Sequence, residues 1–471
     1  MSTPRLQAGA RAIALEIAAE ARAEWGFATD IIARAFRAHR ELASGSRRLI
    51  AETVYGLIRM DRRLDAIVDE LTRRGGGRDA PLAPLARDEL KLLVYEARAG
   101  VPVEALAADV KRLSREPIDL ARACGDDAGL GGRSGIEREA TRLSYPTWLL
   151  EAWTADYGAA QATALAEAMN QRAPMAVRVN TARIGRDTLA AQLEEEHVVA
   201  RSSSLSPVGL VFETRVNAFG LSVFRDGLFE VMDEGSQLVA ELVAPPPGGR
   251  VLDACAGAGG KTLALGALLA NKGRVLALDT DGKKLEELRR RARRAGLTNV
   301  QAKPVGTGTG DVAKAAAGTY DRVERRPALP AGAHRGWGRE PFQGSLFDRV
   351  LVDAPCSGLG TLRRNPEARW RLTPAEVAGF PARQLGLMVS YAPLTAVGGR
   401  LIYATCTVNR RENEGVVERF LAERDDFVPV PVKEIWGRER AEAVGDTMTL
   451  QLFPQRHDTD GFFAAVLRRV R

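Results

Sequence analysis

The segment Val251-Leu252-Asp253-Ala254-Cys255-Ala256-Gly257-Ala258-Gly259-Gly260-Lys261-Thr262 constrains the fold more than any other part of the chain. It reads as a short apolar strand, a glycine-rich turn and the start of a helix. Glycine opens backbone conformations closed to other residues and lets a ligand approach the amides. A strand feeding such a turn into a helix opens an α/β sheet, where ligands gather beyond the carboxyl ends of the strands. The spacing excludes two common occupants. A phosphate-binding P-loop needs glycine where Cys255 stands, and a dinucleotide fingerprint needs glycine where Thr262 stands. Asp279 ends the next apolar run about twenty residues after Gly259, where a carboxylate grips ribose hydroxyls. The pattern predicts a nucleoside cofactor without a required pyrophosphate, and S-adenosylmethionine fits best.

The neighbouring pattern extends this unit. From residue 236 onward, apolar strands over 250–254, 274–278, 347–352 and 400–404 alternate with helices over 262–269, 283–295 and 382–391. Such alternation predicts a parallel sheet covered on both faces. Residues 8–125 carry apolar positions at helical spacing, as in Leu49-Ile50 through Leu57-Ile58 and in Leu90-Lys91-Leu92-Leu93-Val94. The glycine-rich, acidic stretch 125–132 is expected to be a linker. Between these regions, strands over 175–180 and 227–232 and a helix over 188–193 predict a small α/β unit. Three domains are therefore expected, over 1–135, 136–235 and 236–471. Residues 324–346, rich in Pro, Gly and Arg, are expected to be a surface insertion.

Composition bounds the chemistry. Among 471 residues there are four cysteines and four histidines. No CxxC spacing and no histidine cluster is present, so no metal site is expected. Reduced thiols, no apolar run long enough to span a bilayer and no secretory signal predict a cytoplasmic protein without a membrane partner. A net charge of +7 permits a polyanionic partner.

Two cysteines stand out because each ends an apolar run: Val350-Leu351-Val352-Asp353-Ala354-Pro355-Cys356 and Leu401-Ile402-Tyr403-Ala404-Thr405-Cys406. A single cysteine so placed is normally a buried, inert side chain. Two of them, sharing a sheet edge with a cofactor turn, predict covalent catalysis. Carbon 5 of a pyrimidine becomes nucleophilic once a thiolate adds at carbon 6. A carboxyl group beside ring nitrogen 3 can hold the proton that stabilises the adduct. Loss of the carbon-5 proton then calls for a second base. Methylation of an exocyclic amine needs no thiol, so the pair selects carbon chemistry.

These residues resemble the Sun/nucleolar-protein family of RNA 5-methylcytosine methyltransferases, especially its bacterial 16S ribosomal RNA branch. The motifs are Asp253-Ala254-Cys255-Ala256 with Gly259-Gly260-Lys261-Thr262, Asp279, Asp353-Ala354-Pro355-Cys356-Ser357 and Thr405-Cys406. Arg363-Arg364-Asn365-Pro366-Glu367 with Trp370, Asn413-Glu414, Asp460-Gly461-Phe462-Phe463 and Asp233-Glu234-Gly235-Ser236-Gln237 support them. The resemblance implies a Rossmann-like S-adenosylmethionine-dependent methyltransferase domain. It is preceded by a ferredoxin-like α/β unit and an all-helical NusB-like domain, both binding RNA. It further implies Cys406 as nucleophile, Cys356 as its partner in product release and Asp353 at the cytosine ring. Lys261 would lie near the reacting base. Cys255, Ala256, Gly257, Ala258, Gly259, Gly260, Lys261, Asp279 and Asp353 would hold the cofactor. Two departures are Ala258, where the family shows Pro, and Gly310-Asp311, displaced from the place of the expected Gly-Asp pair.

The expected partner is RNA, most specifically 16S ribosomal RNA and not DNA, and the expected state is a monomer. The same chemistry on transfer RNA is the alternative within enzymes. A non-catalytic assembly factor would have lost a thiol or the glycine turn. An oxidoreductase is disfavoured by the failed glycine spacing. Arg363 and Arg364 are expected at RNA phosphates, whereas the basic helix over 283–295 is as readily a solvated face.

Overall fold

A computed structural model describes residues 5–73, 82–114, 117–306, 346–444 and 448–471. Asp311 and the 324–346 insertion up to 345 lie outside them. The chain divides into two compact units, one formed by Met1–Arg172 with Thr361–Val377 and one by Ala173–Gly360 with Ala378–Arg471.

The first unit is helical. Its helices Ala8–Glu24, Ala28–Ala38, Ser44–Arg59, Asp61–Thr72, Pro84–Arg98 and Val103–Leu113 are followed by Gly135–Leu143, Thr147–Tyr157 and Ala159–Met169. Their apolar stripes close over two cores, one around Leu64, Val68, Leu93 and Leu106 and one around Ile17, Ile50, Val54 and Ile58. The stretch 125–132 is not a linker. Ala128 and Leu130 are buried, and the Gly129 amide donates to Glu70 at 2.7 Å. A Cβ on Gly129, whose φ is +72°, would lie 2.7 Å from the Ile67 nitrogen. Glycine is thus used here for close packing, which composition alone cannot distinguish from flexibility.

Thr361–Val377 returns to this helical unit. The Trp370 indole donates to Ile58 O at 2.7 Å and packs on Trp25. The Arg369 guanidinium lies 4.0 Å over the Tyr145 ring and donates to Asn170. Arg363, expected at RNA phosphate, is buried, and its guanidinium donates to Arg172 O at 2.8 Å. Its charge is spent inside the fold.

The second unit holds two sheets. The smaller contains β1 (Met175–Val179), β2 (Ala200–Ser202), β3 (Gly209–Phe212) and β4 (Phe229–Val231) in the antiparallel order β2-β3-β1-β4. The larger contains β5 (Arg250–Asp253), β6 (Arg274–Asp279), β7 (Val300–Pro304), β8 (Phe347–Asp353), β9 (Thr395–Thr405), β10 (Phe427–Val430), β11 (Leu450–Leu452) and β12 (Phe462–Arg469). Its order is β10-β12-β9-β8-β5-β6-β7, with β11 paired to β12. β7, β6, β5, β8 and β9 run parallel, whereas β10, β11 and β12 pair antiparallel. The four strands expected from the sequence do run parallel, and the antiparallel β10, β11 and β12 extend them into a mixed sheet. Cores cover both faces, so Val251, Leu252, Val350, Leu351, Val352 and Leu401 through Ala404 are all buried.

Candidate active site

The order of the larger sheet places β5 at its switch point. From there the chain moves one way to β6 and β7 and the other way to β8 and β9. The carboxyl ends of these strands open a crevice between the two directions. Cys255 through Lys261, Asp279, Asp353, Cys356 and Cys406 lie at that edge.

The turn after β5 is built by hydrogen bonds. The Ala256 amide donates to Leu278 O at 2.9 Å, and the Gly257 amide donates to Asp279 Oδ2 at 2.8 Å. Asp279 Oδ1 accepts from the Asp281 amide at 2.8 Å, so the carboxylate at the end of β6 is aimed by two backbone donors. Both oxygens keep acceptor capacity for hydroxyl groups. Gly257 and Gly259 have φ of +52° and +89°. A Cβ on Gly259 would lie 2.5 Å from Leu288 Cγ, so this glycine permits close packing of the next helix. A Cβ on Gly257 or Gly260 would meet nothing within 4 Å. These two glycines face open space at the amino end of helix Gly260–Leu268, beside the Asp279 carboxylate. That combination fits the sugar of an adenosyl cofactor. Ala258, where proline is expected, leaves its carbonyl to accept from Arg291 at 2.7 Å. The Cys255 side chain packs on the core, and burial pushes its thiol well above the ordinary range.

Asp353 ends β8 and meets Lys261 from the helix after the glycine turn, with Nζ to Oδ2 at 2.7 Å. Burial alone would lower the Lys261 ammonium. Attraction to Asp353, and more weakly to Cys406, outweighs it and holds the group above its usual range. Lys261 therefore stays charged. Its Nζ also lies 5.4 Å from the centre of the Phe462 ring, a residue of the closing motif. Asp253 at the end of β5 is fully buried and accepts from the Thr262 hydroxyl at 2.6 Å.

Cys356 follows β8 and Cys406 follows β9. These strands are parallel neighbours with Asp353 opposite Ala404, so both loops leave at the same level. Their sulfur atoms stand 3.4 Å apart. The hydrogen bond with Cys406 and then burial hold the Cys356 thiol well above its usual range. Cys356 is thus held as the neutral thiol in this contact, in which either sulfur can donate. Gly360 clamps the loop below, with its amide donating to Cys406 O at 3.0 Å and its carbonyl accepting from the Gly461 amide at 2.8 Å.

Sequence reading missed one member of this constellation. Glu412 is completely buried and accepts four hydrogen bonds around Ser357. Its neighbours Arg410, Arg411 and Asn413 make the stretch look like a solvent-facing loop. The basic helix, observed as Gly282–Arg294, also differs from a free phosphate-binding face. Arg291 and Arg294 pair with buried Glu230, and Arg289 and Arg290 pair with Glu286 and Glu287.

The family model described as 16S rRNA methyltransferase RsmB/F matches residues 240–468, and the ferredoxin-like domain of RsmF/B-like methyltransferases matches residues 145–218. A probable ribosomal RNA small subunit methyltransferase B from Synechocystis is 31% identical, covering 94% of this chain and 95% of that protein. Its counterpart from Bacillus subtilis is 29% identical, covering 91% and 92%. The crystal structure of PH0851 superposes with a TM-score of 0.73 at 26% identity, covering 100% of both chains.

Proposed function

Because the chain belongs to the RsmB/F family of 16S ribosomal RNA methyltransferases, we propose that it methylates carbon 5 of a cytosine in 16S ribosomal RNA through a transient Cys406 adduct. The family's cofactor is S-adenosylmethionine, which supplies an electrophilic methyl group when bound. Asp279 and the backbone of residues 255–260 would hold it.

The observation that carries the reading is the pair of sulfur atoms 3.4 Å apart at the ends of β8 and β9, beside the Lys261–Asp353 pair. Transfer to nitrogen or to a ribose oxygen has no use for two thiols. Cys406 sulfur adds to carbon 6 as a thiolate, and Asp353 manages the proton taken up at ring nitrogen 3. The Lys261 ammonium balances the Asp353 charge while the ring is engaged. Carbon 5, now enamine-like, accepts the methyl group. Release requires four linked changes: the carbon-5 proton departs, the double bond re-forms, the carbon–sulfur bond breaks and the nitrogen-3 proton returns to Asp353. The Cys356 thiol gives its proton to the departing Cys406 sulfur and takes the proton from carbon 5, so atoms and charge balance. A base treated this way must be unstacked or already single-stranded, at a cost of about a few kcal/mol. The helical segment 1–135 and the ferredoxin-like unit are assigned to holding the RNA around it. Such a substrate belongs in the cytoplasm.

Incubation with methyl-labelled S-adenosylmethionine and undermethylated small-subunit RNA, followed by nucleoside digestion, tests this. The label should appear in 5-methylcytidine. Label in an N-methylated or ribose-methylated nucleoside would overturn the carbon chemistry, and label confined to transfer RNA would overturn the substrate.

A further inference from the structure

The Glu412 carboxylate is unusual because it is fully buried and accepts from four neutral donors. Oε2 accepts from the Ser357 amide at 2.9 Å and from Gln384 Nε2 at 3.0 Å. Oε1 accepts from the Ser357 hydroxyl at 2.6 Å and from Asn409 Nδ2 at 3.0 Å. The Ser357 hydroxyl has only one proton and gives it to Glu412, so the Thr407 hydroxyl at 2.8 Å must donate to Ser357. Gln384 also donates to Pro355 O at 3.1 Å. The Tyr403 hydroxyl donates to Glu412 O at 2.5 Å, and Asn413 Nδ2 donates to Thr407 O at 3.0 Å.

This network joins the two residues that follow the thiols, Ser357 after Cys356 and Thr407 after Cys406. A buried carboxylate is expensive to keep unless its partners are complete. Three of the four are supplied by the very loops that carry the two sulfurs, and the fourth by Gln384 of helix Pro374–Tyr391. We propose that Glu412 is a positioning residue for adduct resolution, locking the Cys356 loop onto the Cys406 loop so that release, rather than methyl transfer, depends on it. The proposal rests on the assignment of Cys406 as nucleophile. Its charge also helps keep the Cys356 thiol protonated, after the larger influences of the Cys406 hydrogen bond and burial.

Glu412→Gln is the discriminating variant, because its amide must point N–H groups at donors in place of an acceptor. Single-turnover assays should leave methyl transfer within about threefold of wild type while the denaturation-resistant protein–RNA complex persists about tenfold longer. The pH midpoint for alkylation of Cys356 in the free enzyme should fall. A normal complex lifetime with an unchanged alkylation profile would overturn the proposal. So would equal loss of both half-reactions with a lowered melting temperature and no change in that profile. Ser357→Ala keeps the backbone donor and should move both readouts the same way by less, which covers misfolding of the first variant. Full turnover by Cys406→Ser would instead remove the underlying nucleophile assignment, independently of how Glu412 variants behave.

Discussion

Burial pushes the Asp253 carboxyl from 3.8 up to about 7, with the Thr262 hydrogen bond opposing it only in part. The folded protein therefore holds this proton more tightly than the unfolded chain does. The stability linked to that proton is complete below about pH 4 and is lost as pH rises through about 7. Asp253→Asn removes the titration. The melting temperature of the variant relative to wild type should rise between about pH 4 and 7 and level off above, whereas a constant difference would contradict the assignment. Cys356→Ala should accumulate a protein–RNA complex that survives denaturation, read as a slow-migrating band, because the departing sulfur has lost its proton donor. Both cysteines and Asp353 were legible in the sequence since apolar runs end at them. Glu412 was not, because its burial depends on a loop folding back on Ser357, a contact made 55 residues away in the chain.

At the scale of elements, the parallel half of the sheet was readable because strands buried on both faces are continuous apolar runs. The antiparallel edge was not. β10 has four residues and β11 three, and neither shows enough periodicity to separate from loop. Helix Pro374–Tyr391 runs through Pro381, a residue that normally signals a stop, so its first half was missed. The end of β9 is held in place by a backbone crossing. A Cβ on Gly360 would lie 2.1 Å from Gly461 O and 2.7 Å from Cys406 O. Gly360→Ala should cost about 1–3 kcal/mol and displace Cys406. Denaturant unfolding and single-turnover kinetics check it, and near-wild-type values for both would contradict the tight crossing.

For the whole molecule, the segment Thr361–Val377 lies within the second unit's sequence yet packs in the helical unit. A fragment spanning 173–471 would leave Trp370 without Ile58 and Trp25, and Arg369 without Tyr145. It should aggregate or melt lower than the full chain, and Trp370→Ala should destabilise the helical unit by about 2–4 kcal/mol. A fragment with full-length thermal stability would refute this. Helical spacing revealed the first unit, but the return of a later segment to it is a long-range contact with no local signature. The identity of the atom that bonds to RNA decides the chemistry. Peptide mapping by mass spectrometry of the complex trapped with Cys356→Ala should find the nucleotide on Cys406. A nucleotide on any other residue, or methylated RNA from a Cys406→Ala enzyme, would contradict it.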